Sequence, residues 1–170
     1  MRAKGFTLVE LMVTLTIAAI LLGVAAPAFS AWTANQRLRS AGYDLLNDLQ
    51  LARSEAVKRG GRVTVNNGDG KWHTGWEVFV DSNEDGDRDT GEEALFSRSA
   101  YGDLLTIAGN SSVSQYVSYI PSGDSRRANG ALMMGTITLC SDQSDKALAL
   151  VVSRGGRARL DKTTRTAAGC

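Results

Sequence analysis

Apolar side chains fill residues 6–29 almost without interruption, and the one ionisable group in that run is Glu10. As a helix rising about 1.5 Å per residue the run is roughly 36 Å long, enough to cross a bilayer. Arg2 and Lys4 precede it, and a short basic leader stays on the cytoplasmic side, so the rest of the chain is expected outside. Pro27 falls late in the run, where a kink is expected. The pattern then changes. Leu38, Ala41, Leu45, Leu49, Ala52 and Ala56 recur at spacings of three and four, an apolar stripe along one helix face. Arg37, Asp44, Asp48, Arg53, Glu55 and Lys58 lie largely off that stripe, and Gly60-Gly61 supplies a stop signal.

Past residue 61 the chain reads as short strands at 62–65, 76–80, 94–96, 104–107, 113–120, 135–140, 147–153 and 157–160. Turns rich in Gly, Asn, Asp and Ser separate them, among them Asn129-Gly130 and Gly155-Gly156. Apolar strand faces need cover, and the amphipathic half of the long helix is the obvious candidate. The pattern therefore predicts an α+β fold, with a long N-terminal helix (a transmembrane half plus an amphipathic half) packed against a C-terminal antiparallel β-sheet head. The expected divisions are a leader peptide at 1–5, a transmembrane or filament-core helix at 6–31, its amphipathic continuation at 32–60 and a periplasmic β-rich head at 61–170.

A carboxylate in a membrane helix is costly, by roughly 2.5 kcal/mol or more at the helix centre, so Glu10 calls for a partner. Two other readings of the N-terminus are a secretory signal ending near Ala26-Pro27-Ala28 and a plain single-pass anchor. Neither accounts for Glu10. The stretch Lys4-Gly5-Phe6-Thr7-Leu8-Val9-Glu10 resembles the class III signal of type IV pilins and type II secretion pseudopilins. The resemblance implies that a membrane prepilin peptidase cuts after Gly5 and N-methylates Phe6, and that Glu10 meets the N-terminal amine of an adjacent subunit.

Segments of the head are similar to GspH-type pseudopilins and FimT/FimU-type minor pilins. They are Gly75-Trp76-Glu77-Val78-Phe79-Val80-Asp81, Ile120-Pro121-Ser122-Gly123, Gly135-Thr136-Ile137-Thr138-Leu139-Cys140, and Val151-Val152-Ser153 followed by Gly156-Arg157-Ala158-Arg159. This likeness implies a minor pilin that primes or joins a type IV pilus fibre from the bacterial inner membrane, supporting assembly, twitching motility and DNA uptake. The alternative is a minor pseudopilin of a type II secretion system. Implied partners are other pilins or pseudopilins, met through the N-terminal helix, and the prepilin peptidase. No small-molecule substrate is implied.

Composition adds limits. A formal net charge of +1 gives no bulk attraction to nucleic acid or anionic lipid, so any such contact needs a local patch. Cys140 and Cys170 lie in the part expected outside the membrane, where an oxidising periplasm favours a disulfide worth roughly 3 kcal/mol. The resemblance implies the same bridge, and two free thiols are the alternative. His73 is the single histidine and lies in a polar turn, which offers no catalytic triad or zinc-type spacing, and no enzyme is expected.

Two constellations remain. Residues 81–92 satisfy the literal calcium-loop pattern, with Asp81, Asn83, Asp85, Asp87, Asp89 and Glu92 as oxygen donors around Gly86. Strand-like rather than helical flanks favour a plain acidic turn, with calcium as the other reading. Near the C-terminus, Arg154, Arg157, Arg159, Lys162 and Arg165 face one carboxylate, Asp161. Arginine pairs phosphate bidentately, and such a segment can follow a phosphate backbone without reading bases. In FimT-type pilins a Gly-Arg-x-Arg element is implicated in capture of double-stranded DNA, and residues 156–159 match it. A solvated or subunit-facing edge is the competing reading.

Overall fold

The computed structural model describes residues 5–102 and 104–170, so Arg2 and Lys4 of the expected leader lie outside the described residues. Helix α1, Leu8–Arg59, takes in both the apolar run and the amphipathic stretch, and Pro27 lies inside it. It starts where Thr7 takes an extended conformation and ends at Gly60, whose φ of 66° suits glycine and whose N–H reaches the Ala56 carbonyl. Side chains of residues 8–30 are exposed. Burial begins at Ala34 and recurs at Leu38, Ala41, Leu45, Leu49, Ala52 and Ala56, the stripe that the spacing predicted.

The head contains β1 (Val63–Asn66), β2 (Trp76–Val80), β3 (Ala94–Arg98), β4 (Leu105–Gly109), β5 (Tyr116–Tyr119), β6 (Gly135–Ser141), β7 (Lys146–Val152) and β8 (Ala158–Thr164). A four-residue helix, α2 (Arg165–Ala168), follows. The strands form two four-stranded antiparallel sheets, ordered β3-β2-β1-β5 and β4-β6-β7-β8. Both lay an apolar face on α1. Val63, Val65, Val78 and Val117 contribute from the first, and Ile107, Ile137, Leu139, Leu148 and Leu150 from the second. Each such side chain, once buried, is worth about 1.5–3 kcal/mol. Small residues on the helix let the sheets close in: a Cβ at Gly42 would lie 2.8 Å from Leu148 and 3.2 Å from Leu160.

Several features differ from the pattern. The strand expected at 113–120 shortens to β5, because Gly109 packs on Val113 so closely that a Cβ would overlap the Val113 carbonyl, and the chain turns there. The last strand runs on to Thr164, since β7 offers a pairing partner for each residue from Ala158 to Thr164. Asp48, expected off the apolar stripe, is buried. It accepts the Trp76 indole N–H at 2.9 Å and the Arg98 guanidinium at 3.1 Å, tying β2 and β3 to the helix. Asp44 beside it accepts the Tyr101 hydroxyl at 2.8 Å.

Candidate functional site

At the start of α1, Thr7 and Glu10 form a reciprocal cap. The Thr7 hydroxyl accepts the Glu10 N–H at 3.3 Å, while the Glu10 carboxylate accepts the Thr7 N–H and hydroxyl at 2.9 Å each. Gly5 and Phe6 precede the helix in irregular, exposed backbone, which leaves the bond between them outside the helical hydrogen-bond ladder. Glu10 is exposed and has no ion pair among the described residues, so its charge is held by hydrogen bonds without being neutralised. A cationic amine brought beside the carboxylate would neutralise that charge.

The five basic residues near the C-terminus divide. Arg154, Arg157 and Arg159 gather at the β7–β8 turn, in a frame built from two segments far apart in sequence. Arg53 of α1 donates from Nε to the Gly123 carbonyl at 2.8 Å and from Nη2 to the Gly155 carbonyl at 3.1 Å. Ser125 donates to the Ser153 carbonyl at 3.0 Å. Gly156 has φ of +71°, and a Cβ there would overlap the Gly123 carbonyl oxygen. The Gly of the Gly-Arg-x-Arg element is therefore required by packing, and its neighbours are fixed in direction.

Ala158 and Leu160 pack toward the core, which turns Arg157 and Arg159 onto the outer face of β8. Arg159 pairs with Asp161 on that face at 2.9 Å, both side chains remaining well exposed. Arg157 has no ion pair among the described residues. Lys162 points the other way, into a cleft beside α1. Arg165 belongs to α2 and binds Asp142 at 2.6 Å. Arg126 follows Ser125 on the segment braced against the turn, and pairs with Asp124 at 3.9 Å.

The acidic segment is a strap over the outer face of the first sheet. Asp81 is buried and accepts the Thr64 hydroxyl at 2.7 Å and the Gly86 N–H at 3.1 Å. Burial is the main influence on its carboxyl and pushes its pKa up, against the Thr64 hydrogen bond. The other donors turn to different partners. Asn83 donates to Asp85 and Asp89, Asp85 accepts the Asp87 N–H, Asp87 accepts from Asn66, and Glu92 accepts the Ser82 and Asp89 N–H groups. Among the described residues no three acidic, His or Cys side chains converge on a position that could hold a metal ion. Glu84 and Glu93 pair with Arg62 and Arg59, which supplies part of the counter-charge that such a loop needs.

Cys140 and Cys170 are joined, which fastens the C-terminal end against the second sheet. His73 lies in a short 3₁₀ turn, Trp72–Thr74, and its carbonyl accepts the Tyr101 N–H at 3.0 Å.

Comparison with known proteins agrees with this geometry. The family model for Type II transport protein GspH matches residues 41–156, and that for the prokaryotic N-terminal methylation motif matches residues 1–26. Pilin-like protein PilA1 of Thermus thermophilus is 29% identical over 164 residues, covering 95% of this chain and 100% of that protein. The type IV minor pilin FimU of Pseudomonas aeruginosa superposes with a TM-score of 0.60 at 24% identity, over 76% of this chain and 92% of FimU. The minor pseudopilin EpsH from the Type 2 Secretion System of Vibrio cholerae does so with a TM-score of 0.53 at 10% identity, over 75% of this chain and 97% of EpsH. The two structures share the fold of a helix packed on an antiparallel β head. A methylation motif at the start of α1 and a GspH match across most of the head show that the chain belongs to the GspH family of type IV minor pilins and pseudopilins, structural components rather than enzymes.

Proposed function

We propose that the chain is a minor pilin, made as a precursor, cut between Gly5 and Phe6 by prepilin peptidase and N-methylated on Phe6. Residues 6–31 hold it in the inner membrane with the head in the periplasm, and the same segment then packs among other pilins as the subunit joins or primes a type IV pilus fibre. One observation carries this reading: the exposed half of α1 is apolar save for Glu10 and three hydroxyls, and the Glu10 carboxylate has no cationic partner among the described residues. Filament growth would bury that surface, and Glu10 would set the register between subunits. Glu10→Ala in the native host is expected to be processed normally yet lost from sheared fibres. Wild-type incorporation of that variant would remove Glu10 from assembly.

The fibre would serve twitching motility and, through Arg157 and Arg159, contact with double-stranded DNA. The locked turn supports the DNA element, because it presents Arg157 on an exposed face without a carboxylate partner among the described residues. A second reading is a minor pseudopilin of a type II secretion system, favoured by the GspH match and the likeness to EpsH. A deletion strain separates the two, since one reading predicts loss of pili with secretion intact and the other predicts the reverse.

A further inference from the structure

Lys162 leaves the arginine face of β8 and lines a cleft of about 180 Å³ between α1 and the end of the second sheet, together with Leu38, Arg39, Tyr43, Lys146 and Leu148. The floor is apolar and the rim carries three cations. None of the three is ion-paired among the described residues. Nearby acids do little to offset them: Asp142 is taken by Arg165 and Asp161 by Arg159, which leaves Asp145. Arg37, exposed on the same stretch of helix, adds a further positive charge.

The cleft stands directly above the apolar segment. Phe29 and Trp32, both exposed and with ring centroids 5.8 Å apart, are aromatic side chains of the kind that settle at a bilayer surface. From Trp32 to Arg39 the helix rises roughly 10 Å. The headgroup layer extends about 5–7 Å beyond the hydrocarbon edge, and long basic side chains extend toward it from that height. The basic turn at Arg154 and Arg157 is braced by Arg53, roughly 27 Å farther along the helix than Asn35.

We infer that this cleft is a seat for the anionic phospholipid headgroups around the anchor: as the head tilts onto the bilayer, Arg39, Lys146 and Lys162 take their phosphates and Tyr43, roughly 16 Å above Trp32 on an upright helix, is covered at the rim. The inference rests on the proposed anchoring of residues 6–31. Each basic residue at an anionic surface shifts the balance about fivefold at low salt, so three favour the seated head by on the order of a hundredfold. Lys162 thus acts at the membrane end of the head, while Arg157 lies at the β7–β8 turn, beyond the far end of β8.

The test places the full-length protein, one copy per nanodisc, in phosphatidylcholine alone or mixed with phosphatidylglycerol, and reads hydroxyl-radical labelling of Tyr43. Labelling is expected to fall severalfold in the anionic discs only. It should recover in high salt and in Lys146→Glu/Lys162→Glu, whereas Arg88→Glu, on the first-sheet side of the head, should behave as the wild type. Equal labelling in the two kinds of disc overturns the inference while leaving the anchoring reading intact. Protection by inorganic phosphate in detergent overturns it in favour of a free-phosphate site, and protection that needs two copies per disc overturns it in favour of a neighbouring subunit's acidic surface. Failure to enter either disc overturns the anchoring reading along with it.

Discussion

Gly156 is a glycine because its positive φ and the Gly123 carbonyl leave no room for a side chain. Arg157 and Arg159 have no such packing role, so their removal tests binding without disturbing the frame. In a mobility shift on the head, residues from about Thr33 onward, Arg157→Gln/Arg159→Gln should abolish a salt-sensitive double-stranded DNA shift that the wild type shows. Absence of binding by the wild type would make these arginines structural or subunit-facing. Asp81 gives a pH signature. Its folded pKa is raised by burial, so the folded state holds the proton more tightly than the unfolded chain does. Its contribution to stability is present below the ordinary carboxylate range, and is lost as pH rises through the raised folded value. Melting curves should show the wild type losing ground to Asp81→Asn across that window and running parallel to it above. A gap independent of pH would remove Asp81 from the linkage. The Gly-Arg spacing and the alternation placing Arg157 beside Arg159 were legible in the sequence. The departure of Lys162 follows from the same alternation once Leu160 is known to face the helix, which spacing alone does not say. Arg165 joins α2, a helix too short to leave a period. The donors of residues 81–92 fit a metal-loop pattern in order, but Asp81 and Asp87 are engaged by Thr64 and Asn66, which pairing brings in from another strand.

Among the elements, α1 was the most legible, because the stripe from Leu38 to Ala56 and the stop at Gly60 are local signals. Asp48 was not: a carboxylate beside an apolar stripe reads as solvated until Arg98 and Trp76 arrive from β3 and β2. Removing Arg98 would strand a buried charge, so Arg98→Met should cost about 3 kcal/mol in denaturant unfolding of the head, and Asp48→Leu in the same chain should recover part of that loss. A cost under about 1 kcal/mol would mean that Asp48 is resolvated and the pair does not fasten the sheet. The strands themselves were found near their expected positions, but their division into two sheets was not. β1 pairs with β5 across an intervening β2, β3 and β4, and β4 joins β6 instead, so the partition lives in nonlocal pairing. Periodicity identifies which residues share a face and is silent on which strand lies alongside.

On the scale of the whole molecule, a single helix gives the chain two solvents. Its distal half is the spine of a head held by two sheets, a disulfide and the Asp48–Arg98 pair, while its first half leaves every apolar side chain for a membrane or for neighbouring helices. That division was legible at once from the change between an all-round apolar run and a one-sided stripe, with Glu10 the one ionisable side chain in the first half. The fold is common to the pilus and pseudopilus proteins that it resembles, FimU and EpsH alike. The most direct test of the proposal is the N-terminal residue of the chain recovered from sheared fibres, read by peptide mass spectrometry. The account predicts a peptide beginning at N-methylated Phe6. A chain that still begins at Met1 and stays in the membrane, or one that begins after Ala28 and is soluble in the periplasm, would contradict it.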